Sequence, residues 1–285
     1  MLEQLLASVI DGLLLGFIYG LAAMGLTLIF GVMEVINLAH GPIMALGMFG
    51  VYYLSMEMGL NPYLALILVA VLGMVLGLVI YGIAVHRILD APELSSLLAT
   101  FSVNMMIIGL GTAFFTTSPY NVEFSMGSLS LGPIILPWNR VASAIIAVAA
   151  TALLYFFLYR TPPGKAIRAV SQNRDAAELM GIPSTTMLAL SFGIGSMLAT
   201  VAGGLVATLF SFTILSGATY ELKSFVIVVL GGLGNPAGAL VGGLILGVME
   251  GVIPVFIETS WVPVIEMVLF VLILLVKPQG LLGAK

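Results

Sequence analysis

Apolar runs long enough to cross a bilayer follow one another along nearly the whole chain, and no polar segment between them is long enough to form an aqueous domain. A helix needs about 20 mainly apolar residues to span a hydrocarbon layer of about 30 Å. Only 8% of the 285 residues are charged and 61% are hydrophobic, whereas soluble domains carry about 25% charged residues. These features predict an all-α, polytopic transmembrane helical bundle forming a single domain over 1–285. The formal charge of -4 says little about partners, because the few charges are placed by topology. The first run has Glu3 and Asp11 near its start and no basic region ahead of it, so it is not expected to be a cleaved signal peptide.

The runs are expected at 5–30, 43–58, 63–85, 94–115, 141–159, 186–210, 224–252 and 261–276. Two of the intervening segments, 31–42 (GVMEVINLAHGP) and the GGLGNPAG within 224–252, interrupt apolar sequence with Gly-Pro or Asn-Pro chemistry. If both breaks are turns on one side of the membrane, nine crossings result; a re-entrant half lowers the count to eight, and a piece in the 116–139 segment raises it to ten. That segment has room for a short interfacial helix or a hairpin.

Lys and Arg mark the cytoplasmic side, since they resist translocation. Four of the nine, Arg160, Lys165, Arg168 and Arg174, cluster around the longest polar island, 162–183 (PPGKAIRAVSQNRDAAELMGIP). The expectation is that 160–184 and the C terminus, with Lys277 and Lys285, lie in the cytoplasm and that the N terminus lies outside. Arg87, Asp90 and Pro92 mark a second cytoplasmic segment. If 164–181 forms one helix, Ala166, Ala169, Val170, Ala177 and Met180 share a face that Asn173 interrupts, and Lys165, Arg168, Gln172 and Asp175 share the other. Such a helix suits a groove on a partner; the plainer reading is a solvated loop that only sets topology.

Asn-led breaks in each half, NLAHGP at Asn37 and NPAG at Asn235, form a faint internal echo. Corresponding interruptions point to a transport pathway, because unwound backbone at membrane depth persists only where it lines a cavity or is buried in protein. Two ordinary turns are the other reading. Asn37, His40, Asn104 and Asn235 are the candidates for a polar pathway, with structural hydrogen bonds the alternative for each. Asp11, Glu250 and Glu266 are expected near an interface. The rows Gly12, Gly16, Gly20 and Gly243, Gly247, Gly251 are read as close-packing surfaces.

Enzymatic readings find no support. His40 and His86 lie on different elements without metal-ligand spacing, and the absence of cysteine excludes thiolate sites and disulfides. The lone Gly-Lys pair in TPPGKAI lacks the rest of a phosphate-binding loop. No catalytic residue, metal or cofactor is expected, and scattered basic residues without interleaved aromatics give no case for nucleic acid.

Three segments, YGLAAMGLTLIFGVMEVINLAHGPIMALG (19–47), GKAIRAVSQNRDAAELMGI (164–182) and VVLGGLGNPAGALVGGLILGVMEG (228–251), resemble the permease subunits of branched-chain amino acid ABC importers, whose relatives also serve urea or short amides. The resemblance implies a non-catalytic transport subunit of a bacterial-type inner membrane. Its implied partners are a second homologous permease in a heterodimer, two ATP-binding cassette subunits that hydrolyse ATP, a soluble substrate-binding protein and the lipid bilayer. It also implies alternating access, driven through a cytoplasmic coupling helix that Arg168, Gln172, Asn173, Arg174, Asp175 and Glu178 match. The loop departs from the acidic-alanine-alanine signature of other ABC permeases, with its acid after the alanines. The rival class is a secondary carrier or channel acting alone, which usually places carboxylates at mid-membrane.

Overall fold

Capping chemistry divides the apolar sequence into helices. The computed structural model describes residues 1–89, 91–131 and 134–283, so Asp90 and Lys285 fall outside the described residues. The chain opens with α1 (Leu2–Met33), which ends where Glu34 turns left-handed at φ 55° and donates its N–H to the Phe30 carbonyl. After a non-helical stretch, 34–39, come α2 (His40–Tyr52) with a wide π turn at Tyr53–Glu57, and α3 (Pro62–Ile80) with another at Tyr81–Val85. Asn61 caps α3 and Pro62 occupies its first turn, where the missing N–H costs nothing. Then follow α4 (Glu93–Phe115), an antiparallel hairpin of β1 (Ser128–Leu131) and β2 (Ile134–Pro137) with Leu129 opposite Leu136, and α5 (Trp138–Arg160). The polar island supplies α6 (Pro162–Gln172) and α7 (Arg174–Leu179). The rest is α8 (Ser184–Ala207), α9 (Ser216–Gly231), α10 (Pro236–Phe256) and α11 (Val262–Val276).

Seven helical stretches among the described residues are long and apolar enough to cross a membrane. The other two apolar helices are short, 13 residues for α2 and 16 for α9, and both begin inside the bundle. α1 and α8 form its centre: their most apolar windows are 78% and 83% buried, against 11–33% for the other five. Those outer helices leave leucines, valines and phenylalanines exposed, as a lipid solvent permits.

Small residues set the two main seams. Gly12, Gly16 and Gly20 of α1 lie against Gly243, Gly247 and the Leu240 and Leu244 backbone of α10; a Cβ on Gly16 would come within 2.8 Å of Leu244 Cα. On the other side, Gly73 and Gly77 of α3 pack on Ser196 and Thr200 of α8. The path long helix, break, short interior helix, turn, long helix thus occurs twice, as α1–α2–α3 and α8–α9–α10. Each unit's first helix packs on the other's last. Gly25 and Ile29 of α1 meet Leu198 and Gly195 of α8 in antiparallel order, so the two units run in opposite directions.

The hairpin lies at one rim, near the start of α1, where Asp11 pairs with Arg140. α6 lies at the opposite rim with the last turn of α1, in a cleft lined by Gly31, Val32, Ile167 and Gly234. One sequence expectation changes here, the start of the run placed at 224. Lys223 sits inside α9, since that helix starts at Ser216 and not after the lysine, and its ammonium lies 2.6 Å from Glu250, 4.0 Å from Glu266 and 4.8 Å from the Tyr19 ring centroid. Glu250 and Glu266 therefore have a cationic partner, which lowers the cost of burying them.

Candidate functional site

The first break, 34–39, turns Val35, Asn37 and Ala39 into the protein and leaves Glu34 and Ile36 exposed. Backbone groups in a bundle interior need partners, and α4 supplies them: Thr100 Oγ1 donates to the Ile36 carbonyl at 2.9 Å, and Asn104 Nδ2 donates to the Leu38 carbonyl. Asn37 is fully buried, and its Oδ1 accepts from the Ala39 N–H at 3.1 Å, closing a local turn that launches α2. His40 is also fully buried; the Ala22 carbonyl lies close, yet neither ring nitrogen completes a hydrogen bond. The structure thus gathers Asn37, His40 and Asn104 in one place.

The second break, 208–215, is satisfied differently. Tyr120 and Phe212 exchange backbone hydrogen bonds of 2.8 and 2.9 Å, pairing this stretch with the segment that follows α4. Around that pair Phe49 stacks on Phe115 at 4.2 Å and meets Tyr120 and Phe212 edge-on at 5.1 Å. This aromatic cluster lies beside the second break.

At the junction the starts of α2 and α9 abut. A Cβ on Gly217 would fall 2.5 Å from the Gly41 carbonyl oxygen, and a Cβ on Gly41 would fall 2.7 Å from Glu221 Oε2. The Glu221 carboxylate lies against Gly41 and receives Asn104 Nδ2 at 3.4 Å. Sequence reasoning missed Glu221; its position inside an apolar-faced helix, five residues after Ser216, was the available signal.

Asn235 belongs elsewhere. It caps α10, its Oδ1 accepting from the Ala237 and Gly238 N–H groups at 3.0 and 3.3 Å, while its Nδ2 donates to the Leu282 carbonyl at 2.7 Å. The α9–α10 turn that contains it is tight, and the mate of the Asn37 break is 208–215.

The polar island forms two helices, not one. Asn173 is extended at φ -161°, ψ 106°, and its Oδ1 caps α7 by accepting from the Ala176 N–H at 2.9 Å. Ile167, Val170 and Ala177 anchor the pair in the bundle. Met180 does not join that face: Leu179 and Met180 are 89% and 82% exposed. Arg168 lies over the Tyr159 ring at 4.3 Å, and Arg174 meets Glu178 at 3.3 Å. Gln172 and Asp175 are exposed. The Glu178 carboxyl is held below its ordinary value, first by the hydroxyl of Ser184 and then by Arg174.

Residues 8–276 match the family model described as branched-chain amino acid transport system / permease component. The chain belongs to the branched-chain amino acid transport permease family. It is 31% identical to the high-affinity branched-chain amino acid transport system permease protein LivH of Escherichia coli K12, over 98% of this chain and 95% of that protein. LivH of Salmonella typhimurium is 30% identical with the same coverage, and BraD of Pseudomonas aeruginosa, a permease protein of the same description, is 29% identical over 98% and 95%. As a family member with seven spanning-length apolar helices, the chain is a multi-pass membrane protein.

Proposed function

We propose that this chain is the permease subunit of an ATP-driven importer, carrying branched-chain amino acids across the inner membrane by alternating access. The observation that carries the reading is the pair of oppositely directed discontinuous helices, α2 and α9, whose starts meet at Gly41 and Gly217. Broken helices at the interface of inverted repeats are where transporters bind and pass small solutes, and two packed repeats can rock about such a point. A zwitterion with an apolar side chain suits helix ends, backbone carbonyls and the aromatic cluster around Phe49.

In this reading α6 and α7 lie in the cytoplasm as the coupling segment over 160–184, the C terminus shares that side and the N terminus is outside. Two ATP-binding cassette subunits dock below, a second homologous permease completes a heterodimer, and a soluble binding protein delivers substrate from outside. The ATPase contact comprises Arg168, Gln172, Asn173, Arg174, Asp175 and Glu178, with exposed Leu179 and Met180 added as its apolar part. ATP binding shifts the equilibrium between outward- and inward-open states through their different affinities for this segment.

A stand-alone ion-driven carrier would call for free carboxylates within the bundle. Lys223 lies between Glu250 and Glu266, whereas Glu221 at the junction is buried beside Asn104, so the ATP dependence of uptake is what separates the two readings. Affinity purification in mild detergent tests the importer reading: an ATPase subunit and a second permease should accompany the chain, and uptake should stop when ATP is depleted. Purification without an ATPase, together with uptake that persists, sinks it. Retention of leucine, isoleucine or valine by the cognate binding protein supports the substrate class, whereas retention of urea or a short amide replaces it.

A further inference from the structure

We propose that Glu221 is a positioning residue for transport, its carboxylate holding the start of α2 against α9 across the junction of the two discontinuous helices. The first N–H groups of a helix have no partners within it and form its positive end. No side-chain hydrogen bond caps α2 at its own N-cap, Ala39, although that residue is fully buried. The His40 N–H reaches the Asn37 carbonyl at 3.3 Å and Pro42 has no N–H, so the Gly41 N–H is the donor of this buried first turn with no backbone partner, which is costly.

Glu221 brings a carboxylate against this helix start from another helix. Helical side chains lean toward the N-terminus of their own helix, so a glutamate in the second turn of α9 can reach back to where that helix begins, and Gly41 stands there. The missing side chain at Gly41 makes the approach possible, since a Cβ there would sit 2.7 Å from Oε2. Asn104 ties the same oxygen to α4 while holding the Leu38 carbonyl of the break. Lys223, two positions on, is turned to Glu250. Glu221 therefore joins α2, α4 and α9.

The polar groups beside it are under-bonded. Both His40 nitrogens, Asn37 Nδ2 and Asn104 Oδ1 are buried without hydrogen-bond partners. Buried polar atoms are generally paired, so a cluster of donors and acceptors left over beside one carboxylate suits an arrangement that exchanges partners when the helices shift. Glu221 sets which arrangement holds the breaks closed.

The chain has no cysteine, so one introduced thiol reports without background. Ile36→Cys places it in the first break, where the native side chain is 38% exposed. Alkylation by a membrane-permeant maleimide is followed in the assembled complex with Glu221 intact, Glu221→Gln and Glu221→Ala. Glutamine keeps an acceptor oxygen beside Gly41 and Asn104, so its labelling rate should stay within about twofold, whereas alanine removes the Asn104 partner and the group packed on the α2 start and should speed labelling about tenfold. Equal rates in all three overturn the proposal, as does glutamine behaving like alanine. If Glu221→Ala does not accumulate, Asn104→Ala serves instead: a rise of about threefold supports the network and no change overturns it. This readout needs no transport assay, so it stands apart from the importer reading. Uptake, which rests on that reading, should show a lowered maximal rate in Glu221→Ala at unchanged KM, with rescue by glutamine; a raised KM alone overturns the positioning role.

Discussion

Gly41 and Gly217, each one position inside a helix that begins within the bundle, meet backbone to backbone: a Cβ on Gly217 would fall 2.5 Å from the Gly41 carbonyl oxygen. Two helix starts that close have no room for any other residue. Gly217→Ala should therefore force the starts apart and destabilise the protein by about 1–3 kcal/mol, as overpacking does. Gly109→Ala is the control, because nothing lies within 4 Å of a Cβ there, and alanine in a helix interior should be neutral or stabilising by up to about 1 kcal/mol. Thermal unfolding midpoints in detergent separate the two; equal midpoints for both variants would show that the junction is not tight.

Much of the fold was legible because lipid leaves so few options. Apolar runs marked most helices, and glycine rows marked the close-packing faces that meet in the α1–α10 seam. The mate of the Asn37 break was not legible. Residues 208–215, TLFSFTIL, contain neither glycine nor proline. The backbone there leaves the helical path because Phe212 pairs with Tyr120, a long-range bond that local composition does not announce. Asn235 misled for the converse reason: Asn-Pro is the chemistry of a cap and a tight turn, and it looks the same at a rim as at a broken helix. The island's amphipathic pattern was visible, but Asn173 acts there as a cap, so Met180 points away from the face it was assigned to.

Leu179 and Met180 project from the end of α7, 89% and 82% exposed, so replacing them with serine should leave the unfolding midpoint unchanged. In the proposed assembly the same double substitution should reduce the ATPase subunit recovered with the chain and lower substrate-stimulated ATP hydrolysis at least about fivefold, the loss expected from removing an apolar anchor worth about 1 kcal/mol or more. Arg174→Glu, which turns the Arg174–Glu178 pair into a like-charge pair, should also lower stimulation while membrane insertion persists. Undiminished stimulation in both variants removes this end of the segment from the contact.

Glu178 gives the segment an acid limit. Its pKa is depressed by the Ser184 hydroxyl and by Arg174. A carboxylate with a depressed folded-state pKa stabilises the fold fully above its unfolded value, and that contribution is lost as pH falls through the folded value. The tie between α7 and the start of α8 should hold at neutral pH and loosen only below the ordinary carboxylate range. Ser184→Ala removes the tie itself along with the main cause of the depression, so the variant should be loose at every pH and lose the pH dependence. Pepsin cleavage at the exposed Leu179–Met180 bond, followed across the acidic range, reads the difference, and superimposable profiles would show that the Ser184 hydroxyl does not hold α7 to α8.

The end of the described chain is held by α9. Leu281 and Leu282 donate their N–H groups to the Leu230 and Gly231 carbonyls at 2.8 and 3.0 Å, and Asn235 Nδ2 holds the Leu282 carbonyl at 2.7 Å. Leu230 and Gly231 are buried, so water does not readily replace the lost donors. Truncation after Gly280 should cost about 1–3 kcal/mol, from hydrogen bonds worth about 0.5–1.5 kcal/mol each. Asn235→Ala adds a second loss, the cap of α10, worth about 1 kcal/mol. Asn235→Asp keeps the capping oxygen and removes only the donor to Leu282, so it separates the two roles. In the full chain it should destabilise, and in the truncated chain it should not, because its partner is already gone. Unfolding midpoints of the four proteins close the cycle, and an equal effect of Asn235→Asp in both backgrounds would disprove the link between the α9–α10 turn and the tail.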